Sequence, residues 1–144
     1  MYGAKVSTGT EVSTAEKWLI GILWFHAVLS VLFVVLAWRD GIVEDADLRF
    51  VVNTTAKDGL FAVASVIAAV NARWRLQIVL LLIVAYGFLI LGEVFELLFA
   101  DPAKVQTLPA DTEATTYLLG WMGGDIVFIA VFFFLYRAAS NARR

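Results

Sequence analysis

The chain has 144 residues, a formal net charge of -2 and a mean hydropathy of +0.82. It is 61% hydrophobic and only 17% charged, against roughly 45–50% and about 25% in soluble domains, more apolar surface than a soluble protein of this length can bury. The absence of cysteine excludes thiolate metal sites, iron–sulfur clusters and disulfide frameworks, a lone histidine excludes a bis-histidine haem within one chain, and the balanced charge offers nucleic acid no electrostatic footprint.

Apolar runs of about 20 residues are the primary signal for membrane spans. The first is 18–38, bracketed by Lys17 and Arg39 and carrying Trp18 and Trp38 as interface anchors. It is too long for a signal-peptide core and is expected to be retained. The second is less obvious. Its clean apolar part, Gly59 to Val70, is too short for a hydrocarbon core of about 30 Å. The helix is therefore expected to reach back to about Phe50, giving a span of 51–72 that carries Lys57 and Asp58 below the membrane surface. The third and fourth spans are 76–100 and 117–136. The segment from Asp40 to Arg49 is expected to hold a short helical or interfacial piece. The segment from Asp101 to Thr116, interrupted by Pro102 and Pro109, is expected to lie over the outer mouth.

Arg73 and Arg75 lie between spans two and three, Arg137, Arg143 and Arg144 in the tail, and Lys5 and Lys17 in the N-terminal arm. The other two connections are acidic. The positive-inside rule then puts both termini in the cytoplasm. The expected fold is an all-α integral membrane protein, 1–144 as one domain, with four transmembrane helices in an antiparallel up-down-up-down bundle, multi-pass in the plasma (cytoplasmic) membrane. Gly120 and Gly124, and the alanines of span two, have the spacing that lets helices approach closely. Packing within the chain is favoured over a homodimer contact, because four helices have their own interfaces to satisfy.

The chemical signal is the set of ionisable residues inside these spans, where a charge costs about 2.5–3.5 kcal/mol on insertion scales. At a rise of about 1.5 Å per residue, Asp125 lies roughly 12 Å below Tyr117, Glu93 roughly 10 Å below Ala100, and His26 roughly 18 Å below Trp38. Asp58 falls near the level of the other carboxylates, and Glu96 one turn nearer the outer surface. Helical spacing puts Tyr86, Glu93 and Glu96 near one face, His26 with Ser30, Asp58 with Ser65, and Trp121 with Asp125. The expectation is an outward-opening pocket of Glu93, Asp125, His26, Asp58, Glu96, Trp121 and Tyr86. Lys57, about 100° around the helix from Asp58, is expected to snorkel outward.

So many carboxylates in a low-dielectric site cannot all ionise unpartnered. Either some keep protons, or a cation compensates them. Three functions follow: a pocket binding or translocating protons, cations or a small ligand; an accessory or structural subunit of a membrane complex; and a small membrane enzyme acting on a lipid-like substrate, with His26 and a carboxylate as acid and base. A non-enzymatic role is favoured. Beyond the lipid bilayer, the partners envisaged are a second copy or another membrane subunit. The residues specify neither a cofactor nor a metal. There is no phosphate-binding loop, HExxH motif, serine triad or voltage-sensing arginine ladder, and the 14% aromatic content suits both lipid-facing and pocket surfaces.

Overall fold

The computed structural model describes residues 12–43, 48–99 and 114–143. All of its regular structure is helical: α1 Thr14–Val43, α2 Leu48–Val70, α3 Arg75–Phe99 and α4 Ala114–Ala142. Each helix is long and apolar enough to cross a membrane, the architecture of a multi-pass membrane protein. The acidic segment 44–47 and the proline-containing segment 100–113 lie outside the described residues, and with them the expectation of a cover over the outer mouth.

The helices outrun the apolar runs at most ends. α1 begins four residues before Trp18, because Ser13 caps it by accepting the Glu16 backbone N–H at 3.2 Å. It also continues through Asp40 to Val43, so part of the expected interfacial piece is simply the end of α1. α2 starts at Leu48 and carries Asp58 well inside it, but ends at Val70 rather than at residue 72. Asn71 accounts for that early stop. Its side-chain oxygen accepts the backbone N–H groups of Arg73 and Trp74 at 3.1 and 3.3 Å, so a local turn replaces helix continuation. α4 runs past Tyr136 through the basic tail to Ala142.

Each helix packs on its neighbours in the chain and α4 returns to α1, with α1–α2 and α3–α4 the closest pairs. One glycine is demanded by that closeness. A Cβ at Gly41 would stand 2.7 Å from Cγ2 of Val51, so α1 can lie against the start of α2 only with no side chain there. Trp38 adds a hydrogen bond at this contact, its indole N–H donating to the Thr55 hydroxyl at 2.9 Å. Gly120 and Gly124 behave differently from expectation: a Cβ at either would meet nothing within 4 Å. Among the described residues they are not a helix-packing seam.

The distribution of polarity is reversed relative to a soluble protein. Phe88, Leu81 and Phe25 are 70%, 66% and 59% exposed, whereas His26, Asp58, Ser65, Arg75 and Asp125 are buried. Lipid solvates the first group without cost and penalises the second. The apolar core runs through Leu19, Leu23, Ala68, Val79, Leu82, Tyr86 and Phe132.

A charged cluster ties helix ends together at one end of the bundle. Glu16 near the start of α1 accepts from Nε of Arg143 at 2.8 Å and from a terminal nitrogen of the same guanidinium. Arg75 at the start of α3 stands 3.7 Å from the same carboxylate. It also donates to the carbonyls of Ala68 and Ala69 at 3.0 and 3.1 Å, and Arg143 reaches Ala72 O at 3.2 Å. The guanidinium groups thus satisfy carbonyls that the end of α2 leaves open, where the helix dipole is negative.

Candidate functional site

The site lies in the half of the bundle away from that cluster. Its innermost element is His26, 1% exposed, on the face of α1 that looks into the bundle. Nδ1 is 2.7 Å from the Ser65 hydroxyl of α2, and Nε2 makes a short hydrogen bond with the Tyr86 hydroxyl of α3. A neutral imidazole donates from one nitrogen and accepts at the other, and each hydroxyl can take the complementary role. Three helices are thereby held at one level by one side chain. Aromatic rings close around it: Phe128 and Phe132 of α4 meet the imidazole edge-on at 4.8 and 5.3 Å between centroids, and Phe61 of α2 lies at 6.0 Å.

Next to this network opens a cavity of about 440 Å³. Its walls are Leu29 and Phe33 of α1, Phe128 of α4 and the backbone strip of Gly120 and Gly124. Its polar groups are His26, Ser30, Lys57, Asp58, Tyr86, Trp121 and Asp125. The size falls in the range of small-molecule sites, roughly 300–1,000 Å³, and the surface it presents is mainly apolar although seven of the twelve lining residues carry a polar group.

Five of the residues expected from sequence line this cavity together: His26, Asp58, Tyr86, Trp121 and Asp125. Glu93 does not. It is half-buried on α3, two turns beyond Tyr86, which is the lining residue from that helix. The lining comes mainly from α1, α2 and α4, and α3 reaches it through Tyr86. The side chain of Glu96 lies outside the described residues.

Lys57 departs from expectation in the opposite direction. It lines the cavity instead of snorkelling away from it. Its ammonium sits 4.7 Å from the centroid of the Trp121 ring and 3.8 Å from Oδ1 of Asp58. A four-carbon stem lets the charge fold back across the 100° that separates adjacent positions, and the ring face together with the carboxylate gives it two attractions. Trp121 is in turn braced by Phe33 of α1, 5.1 Å between centroids.

Asp58 is the outlier of the site. It is 4% exposed, its Oδ1 faces Lys57, and its Oδ2 has no hydrogen-bond partner among the described residues. A buried carboxylate oxygen without a donor is costly. Asp125, 6% exposed, is the second buried carboxylate of the lining. Among the described residues no three His, Asp or Glu side chains cluster in the manner of a metal cage.

Sequence reasoning missed two features. The Glu16–Arg75–Arg143 cluster was announced by Ser13-Thr14-Ala15-Glu16, the capping spacing that starts a helix and so draws Glu16 into α1. The role of Lys57 had no sequence signal, because a flexible cation beside a carboxylate reads the same whether it turns in or out. No protein-family model, curated protein or solved structure matches this chain.

Proposed function

We propose that the protein is a multi-pass membrane protein that binds a small amphiphilic ligand in the cavity between α1, α2 and α4. The observation that carries this reading is Oδ2 of Asp58, without a hydrogen-bond partner among the described residues, at the wall of a cavity of about 440 Å³. A hydrogen-bond-donating head placed against Asp58 and Asp125 supplies the missing partner. Leu29, Phe33 and Phe128 accommodate an apolar body. The meeting of Glu16, Arg75 and Arg143 supports an antiparallel up-down-up-down arrangement, since it joins the start of α1, the end of α2, the start of α3 and the end of α4. The arginines there and in the tail favour a cytoplasmic location for that end, which puts the cavity in the outer half of the bundle and both termini inside. The plasma membrane is the setting proposed.

The test uses 6-bromohexan-1-ol, whose bromine quenches indole fluorescence on contact, and a full-length protein in lipid nanodiscs that keeps Trp121 with the other tryptophans replaced by Phe. The expected result is saturable quenching of Trp121, lost in Gly124→Phe. That substitution projects a ring into the cavity from a position where an added Cβ meets nothing, so the helix tolerates it. Linear, unsaturable quenching identical in both proteins refutes the ligand site.

A further inference from the structure

Lys57 occupies a place that a ligand head would take. Its ammonium lies over the face of Trp121 and beside Asp58, the pairing of aromatic face and carboxylate that recognises organic cations. The ion pair is loose. At 3.8 Å the ammonium is beyond hydrogen-bond distance of Oδ1, and among the described residues Oδ2 has no hydrogen-bond partner although Asp58 is 96% buried. Asp58 and Asp125 share the lining with one ammonium, that of Lys57, while both nitrogens of His26 are engaged with Ser65 and Tyr86. The side chain of Lys57 is 31% exposed, so it has a way out of the cavity.

We infer that the cavity takes an organic monocation with a short apolar tail, and that Lys57 is a tethered occupant of its head site, displaced from between Trp121 and Asp58 when the ligand enters. This rests on the ligand-binding reading above and deepens it. The incoming cation takes over the place of the displaced ammonium between Asp58 and Trp121, and the released ammonium returns to headgroup level, where a long stem can carry it. An amphiphile of opposite sign meets Asp58 and Asp125 and is rejected. The ligand class is therefore organic ammonium compounds: a protonated amine also donates to Oδ2 of Asp58, whereas a quaternary head meets the carboxylate and the Trp121 ring by charge alone. No bond is made or broken.

The experiment uses the same Trp121 quenching in nanodiscs with three probes of equal tail: 6-bromohexan-1-ol, (6-bromohexyl)trimethylammonium and 6-bromohexanoate. Lys57→Gln is expected to tighten the ammonium probe by about tenfold relative to the alcohol, the worth of a cation–π contact no longer contested. Adding Asp58→Asn should reverse the gain, and 6-bromohexanoate should bind neither protein. Lys57→Met is the second replacement, and an unchanged far-ultraviolet circular dichroism spectrum and unfolding midpoint certify a folded protein. If the alcohol binds saturably but Lys57→Gln leaves the ammonium probe unchanged or weaker relative to it, the tethered-occupant inference is wrong while the ligand site stands. If no probe binds saturably to any variant, both fall.

Discussion

Replacing His26 with Ala removes a side chain that hydrogen-bonds from α1 to both α2 and α3. Two losses add. The first is packing: the imidazole is buried against Phe61, Phe128 and Phe132. Since lipid already solvates apolar groups, the penalty is mainly lost dispersion contact around the void, about 2 kcal/mol at the low end of large-to-small substitutions. The second is the pair of hydrogen bonds to Ser65 and Tyr86, each worth about 0.6 and at most about 1.7 kcal/mol between membrane helices. His26→Ala is therefore expected to destabilise the bundle by about 3–5 kcal/mol. His26→Phe keeps a ring in the void and loses only the hydrogen bonds, so it should cost about 1–3 kcal/mol. The assay is reversible unfolding in mixed detergent micelles, followed by far-ultraviolet circular dichroism. A His26→Ala protein within 1 kcal/mol of the parent, or His26→Phe indistinguishable from it, would show that the network does not hold the helices and refute the reasoning.

Two further outcomes are expected. Glu16→Gln removes the carboxylate shared by Arg75 and Arg143 and should cost about 1–3 kcal/mol, the scale of a charge-assisted hydrogen bond. In a cycle with Arg143→Ala the two effects should be strongly non-additive, and simple additivity would mean that the cluster is not a unit. A cysteine introduced at Ser140 should be protected from a membrane-impermeant maleimide in intact cells while one at Asp45 is labelled; the reverse pattern would invert the proposed orientation.

Much of the helical architecture is written in one dimension. Four apolar runs declare four helices because lipid leaves a backbone no other way to satisfy its polar groups. The shortness of Gly59 to Val70 alone places Asp58 inside α2. The buried polar positions follow from the same rule, since a histidine or aspartate in a span turns away from lipid, and this is why His26, Asp58, Tyr86, Trp121 and Asp125 could be grouped by periodicity before any packing was known. Periodicity gives a direction around one helix and a height along it. It does not say how far apart two helices stand. That distance was decided by tertiary contacts: α1 comes close to α2 at Gly41, while among the described residues nothing packs on Gly120 and Gly124, which line the void from α4, and Glu93 stands outside its lining. The inward fold of Lys57 is of the same kind. Its sequence neighbour Asp58 was visible from the start, but the ring of Trp121, on a helix more than sixty positions further along the chain, is what draws the ammonium inside. Attraction to a surface assembled from distant segments exists only once those segments have packed.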